Sequence, residues 1–113
     1  MNKFIAIDFD GTITDNTPYP NTGNIRPEAA YYIKKLYDAG YVLFLWTCRY
    51  DKYLEEAIKL LADNDLLRYF KNINSDITNN SRKIIADFYI DDRSIPGELD
   101  WHIIYKYIIE NIK

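Results

Sequence analysis

The sequence predicts an α/β domain built on a Rossmann-like, doubly wound parallel sheet in three layers, with helices on both faces. Three observations carry this. Short runs that are apolar throughout alternate with longer amphipathic segments, as expected of strands covered on both faces and joined by crossover helices. Residues able to do chemistry follow those runs directly, where open parallel sheets bind ligands. At 113 residues, 48% hydrophobic and 27% charged, the chain suffices for one core, so 1–113 reads as a single domain.

The elements follow in order. Phe4–Phe9 is almost wholly apolar and reads as the first strand. Thr14 to Asn24 carries Pro18, Pro20 and Gly23 and reads as a loop. Pro27 opens a helix that runs to about Ala39 and stops at Gly40, with Ala29, Ile33, Leu36 and Tyr37 on its apolar stripe. Tyr41–Trp46 is the second strand, followed by Thr47, Cys48 and Arg49. A second helix spans roughly Lys52–Asn64, with Leu54, Ala57, Ile58 and Leu61 at helical spacing. Leu66 to Phe70 reads as a packed turn and Asn72–Asn74 as a weak third strand. Asp76 to Arg82 is polar and turn-prone. Phe88–Ile90 is a strand ending in Asp91-Asp92-Arg93, Pro96-Gly97 a turn, and Asp100–Asn111 a last helix with Trp101, Ile104, Tyr105, Ile108 and Ile112 on one face.

A net charge of −3 gives no broad basic surface for nucleic acid or membrane. The lone Cys48 forms no internal disulfide and fits a reducing compartment. No leader and no membrane-length apolar run is visible, so a cytoplasmic domain with no obligate protein partner is expected.

The most informative segment is Asp8-Phe9-Asp10-Gly11-Thr12. Residues two apart on a strand point the same way, so Asp8 and Asp10 converge just past its end. Two close carboxylates repel unless a cation or a proton separates them. The segment therefore reads as a hard-metal site with a nucleophile and a proton carrier. Together with Thr47 after the second strand, Lys83, and the pair Asp91-Asp92, it resembles the ordered motifs of the haloacid dehalogenase-like superfamily. Only 38 residues separate Asp8 from Thr47 and 35 separate Thr47 from Lys83, too few for a cap domain. The resemblance is thus to the smallest, capless phosphatase-type members.

That resemblance implies a magnesium-dependent phosphomonoester hydrolase. Asp8 attacks phosphorus and becomes an aspartyl phosphate, while Asp10 protonates the leaving oxygen and then activates water. Magnesium is held by the Asp8 side chain, the Asp10 main-chain carbonyl and Asp91. Thr47 donates to a phosphoryl oxygen, helped by main-chain N–H groups around Cys48, and Lys83 balances charge. Arg82 or Lys71 are alternatives to Lys83. Gly11 turns the backbone toward phosphate and Thr12 braces the turn. Asp92 either contacts metal-bound water or braces Lys83.

Arg49 and Arg93 can grip a second phosphate or a carboxylate in a forked geometry. An Arg after the acidic pair also occurs in polynucleotide kinase phosphatase domains, so a nucleotide or a nucleic-acid 3′-phosphate end is a candidate substrate. The loop Thr14–Gly23, with Tyr19, is the one candidate flap.

Cys48 lacks the Arg six residues on that a thiol phosphatase requires, because Leu54 stands there. A small buried side chain is expected of it. The competing class is a phospho-acceptor signalling or phosphate-binding module without efficient turnover, for which Asp76 is the candidate acceptor after the third strand.

Overall fold

Four short segments pair into one parallel sheet in the computed structural model, which describes residues 3–78, 82–94 and 99–111. The strands are β1 (Phe4–Ile7), β2 (Val42–Leu45), β3 (Phe70–Ile73) and β4 (Phe88–Ile90), in the spatial order β3-β2-β1-β4. Two helices, α1 (Pro27–Asp38) and α2 (Asp51–Asp63), connect β1 to β2 and β2 to β3, and α3 (Trp101–Glu110) follows β4. Ile112 and the expected turn at Pro96-Gly97 lie outside the described residues.

Because all pairings are parallel, every strand presents its carboxyl end at one edge. The chain steps outward from β1 to β3 and then returns to the other side of β1 for β4. This reversal puts Asp8 and Asp91 on neighbouring strand ends, where ligands gather in open α/β sheets. The ladder continues one step past β1, where the Asp8 amide donates to the Ile90 carbonyl at 2.9 Å.

Strand alternation divides the core in two. Ile5, Ile7, Leu43, Leu45 and Ile90 face a cluster that also holds Ala29, Ile33 and Leu36 of α1, Ala57 and Leu61 of α2, and Trp101 and Ile108 of α3. Ala6 and Phe44 face the other way, against Ile84 and Ala86 of the β3–β4 connection. All three helices thus feed the first cluster. Among the described residues no helix covers the second face, where helices on both faces were expected. The β3–β4 connection supplies that cover with an irregular chain instead.

Element ends also differ from the periodicity. β1 stops at Ile7 because the chain turns at Asp10–Gly11, and β3 begins at Phe70, two residues early. Tyr37, expected on the buried stripe of α1, is 47% exposed. Pro27 does start α1, and the Asp100 carboxylate caps α3 by accepting from the Ile103 amide at 3.1 Å. No helix among the described residues is long and apolar enough to cross a membrane.

Candidate active site at the carboxyl edge of the sheet

The Asp8 loop is a compact turn. The Phe9 carbonyl accepts from the amides of Thr12, Ile13 and Thr14 at 3.3, 3.0 and 3.2 Å, which folds the chain back after β1. Gly11 sits at φ +77°, and a Cβ there would overlap the Asp92 carboxylate, so both backbone and space require glycine. The Thr12 hydroxyl donates to Asp8 Oδ2 at 3.1 Å and accepts from the Asp92 amide at 2.9 Å. Trp101 of α3, itself buried, donates from Nε1 to the Thr12 carbonyl at 3.0 Å. Thr12 braces the turn as expected, and it does so by tying β1 to the β4 end.

One carboxylate oxygen each from Asp8, Asp91 and Asp92 lies within 4.8 Å of the others. Burial, then the Asp91 and Asp92 charges, push the Asp8 carboxyl up from 3.8 to about 7, against the lowering effect of the Thr12 hydroxyl. Three hard oxygen donors with mutual repulsion suit a divalent cation such as magnesium. The donor set includes the Asp92 side chain, which sequence reading kept outside the metal shell. Its acidity is visible in the sequence, but its distance from Asp8 is set by a contact between β1 and β4.

Asp10 is not part of that cluster. Its two oxygens receive Arg49 Nε at 2.8 Å and Nη2 at 2.7 Å in a fork. The Arg49 side chain is fully buried and also donates to the Tyr53 and Asn21 carbonyls, both at 3.2 Å. Its guanidinium carbon lies 5.3 Å from the Phe9 ring centroid and 5.0 Å from that of Tyr19. Arg49, expected to offer a fork to substrate, spends that fork on Asp10. Cys48 is correspondingly exposed, not the small buried side chain expected. The bend after Thr47 turns Arg49 inward and Cys48 outward, and loops have no periodicity from which to read that.

The Thr47 hydroxyl accepts from the Arg49 amide at 3.1 Å, and the Thr47 amide donates to Asn74 Oδ1 at 2.8 Å. Asn74 escaped sequence reading; it follows β3 at φ +56°, a conformation Asn tolerates better than most residues. Lys83 is exposed with its Nζ 4.9 Å from the Tyr89 ring centroid, and among the described residues no ion pair joins it to Asp8, Asp10, Asp91 or Asp92. Arg82 and Lys71 are also exposed. Asp76 is buried, with its carboxylate accepting from the Thr78 and Ile85 amides at 2.8 Å each. Its side chain organises the β3–β4 connection, and it is not part of the acidic cluster.

A hollow of about 350 Å³ opens over the site, lined by Asp8, Asp10, Tyr19, Cys48, Asp91, Asp92 and Arg93. The Arg93 amide donates to Asp91 Oδ1 at 2.8 Å. A larger hollow of about 520 Å³ lies beside the Pro20–Gly23 segment and α2 and contains none of these acids. We place the chemistry in the smaller hollow because the acids converge there.

Fold and site together define a small α/β protein with a parallel sheet and an acidic pocket at its carboxyl edge. A solved structure described as the conserved protein coded by a locus from Bacteroides thetaiotaomicron is 38% identical, with a TM-score of 0.87, over 100% of this chain and 94% of that one. This chain belongs to the same family as that protein. No family model matches the chain, and no curated protein matches it significantly.

Proposed function

We propose that the protein is a magnesium-dependent phosphomonoester hydrolase, a capless member of the haloacid dehalogenase-like superfamily with its Rossmann-like, doubly wound sheet. The carrying observation is the convergence of Asp8, Asp91 and Asp92 at the strand ends, beside a turn that only glycine can make. Asp8, Asp91 and Asp92, with the Asp10 main-chain carbonyl, would hold magnesium, whose charge offsets repulsion between a carboxylate nucleophile and a phosphate.

An Asp8 oxygen attacks phosphorus, forming a P–O bond as the ester P–O bond breaks. The departing oxygen takes a proton from Asp10. Water then attacks the aspartyl phosphate, gives its proton to Asp10, and releases phosphate and Asp8. Each Asp10 oxygen keeps a lone pair beside its bond to Arg49, so the fork fixes the direction from which Asp10 would exchange a proton. Thr47 would donate to a phosphoryl oxygen. Its hydroxyl oxygen already accepts the Arg49 amide, which aims the remaining proton away from that bond. Lys83 stays the candidate counter-charge on sequence grounds.

Asp8→Asn is expected to abolish magnesium-dependent hydrolysis of an aryl phosphate with folding intact by circular dichroism. Full activity in that variant would remove Asp8 as the nucleophile. The engagement of both Asp10 oxygens favours one second reading, a phospho-acceptor module that turns over slowly. Acid-quench measurement of the phosphoprotein separates the two: a lifetime of seconds or less with released phosphate supports the hydrolase.

A further inference from the structure

Tyr19 stands in the wall of the acidic hollow, with Asp8, Asp10 and Asp91. The residue is 52% exposed, yet its ring is packed on two sides. The buried Arg49 guanidinium lies against it at 5.0 Å, and Tyr53 packs on it at 5.9 Å with the planes inclined by 53°. Tyr50 extends the aromatic group, 5.9 Å from Tyr53.

The loop that carries Tyr19 is anchored along its length. Asp15 accepts from the Thr17 hydroxyl at 2.6 Å and the Asn24 amide at 3.3 Å. Thr14 bridges to Ile25, and Arg26 donates to the Thr14 and Gly11 carbonyls at 2.8 and 3.1 Å. At the loop's far side, the Asn21 carbonyl accepts from Arg49. An aromatic ring that is fixed before binding loses little freedom when a second ring stacks on it. A hollow of this volume also holds much more than a phosphoryl group.

We propose that Tyr19 is a specificity-determining residue, a stacking platform for a planar ring carried by the leaving group of the phosphate ester. The proposal rests on the phosphatase reading and names the substrate class for that site. The phosphate sits at the Asp8 end and the ring lies on Tyr19. Arg49 ties the two ends together, since the same guanidinium grips Asp10 and backs Tyr19. Two ring sources share this chemistry: a nucleobase and a phenol.

Two matched pairs distinguish them: nucleoside 5′-monophosphate against ribose 5-phosphate, and phosphotyrosine against phosphoserine. The full chain with magnesium is expected to prefer the ring-bearing member of at least one pair by about tenfold or more in kcat/KM, the scale of one base–aromatic stack. Tyr19→Leu, which keeps apolar bulk without a π face, should bring that ratio to about one. Tyr19→Phe should keep it. Preference in the first pair identifies a nucleotide, and preference in the second a phenolic ester. Turnover of all four esters at equal efficiency, or a ratio that survives Tyr19→Leu, overturns the platform and leaves the phosphatase reading standing. No turnover of any ester overturns both.

Discussion

A guanidinium shut off from water needs acceptors for its five N–H groups, and Arg49 makes four hydrogen bonds, two of them to Asp10. Removing it takes the Arg49 donors away from a partly buried carboxylate and from the Asn21 and Tyr53 carbonyls. Arg49→Ala is therefore expected to lower stability by about 3–5 kcal/mol, the scale of a broken buried pair. Denaturant unfolding measures this, and Arg49→Lys should recover part of it, because an ammonium cannot form the fork. A loss below about 1 kcal/mol would show that Asp10 finds water instead. The arginine was legible in the sequence as a residue near the second strand end. Its inward direction was not, because one bend after Thr47 decides between Cys48 and Arg49. The placement of Asp8, Gly11 and Thr12 in a turn at the end of β1 was legible, since such turns favour those residue types locally. The nearness of Asp92 to Asp8 was not legible, because its neighbour Gly11 is 81 positions away in the chain.

At the scale of elements, α3 does more than close the core. Its first residue, Trp101, holds the Thr12 carbonyl, and the Thr12 hydroxyl holds Asp8 and Asp92. Trp101→Phe keeps most of the apolar surface but removes the indole N–H. The stranded carbonyl should cost about 1–3 kcal/mol, read by thermal unfolding, and on the proposed phosphatase reading turnover should fall with it. An unchanged melting temperature would mean that water replaces the indole. Four strands and three helices were readable from apolar runs and helical spacing, to within one or two residues at most ends. The missing helical cover over Ala6 and Phe44 was not readable. A strand apolar on both faces shows that something covers it, and Ile84 and Ala86 satisfy that demand without periodicity.

For the molecule as a whole, the site is a source of instability in the absence of a cation. The Asp8 carboxyl, at about 7 in the folded protein against an ordinary 3.8, binds its proton more tightly folded than unfolded. Its contribution to stability therefore declines as pH rises from about 4 to about 7, and it stays at its lowest above that. In chelator, the melting temperature of the wild type should fall relative to Asp8→Asn across this window. Magnesium should raise the wild-type melting temperature more at pH 8 than at pH 5, because proton and cation compete for the same oxygens. Equal magnesium effects at both pH values would argue against Asp8 as a ligand.

The order β3-β2-β1-β4 leaves β4 at the rim of the sheet, joined to β1 through three residue pairs. Asp91 and Asp92 extend directly from that short strand. Rim strands of this length fray on their own account, and their amides exchange with solvent through small local openings. Any cation that clasps Asp91 and Asp92 to Asp8 also staples the loose end of β4 to the middle of the sheet. Ligand occupancy and rim order then become one equilibrium. The amide proton of Ile90, whose carbonyl faces β1, would serve as its gauge, slowing its exchange with deuterium as magnesium is added while those of β2 stay as they were.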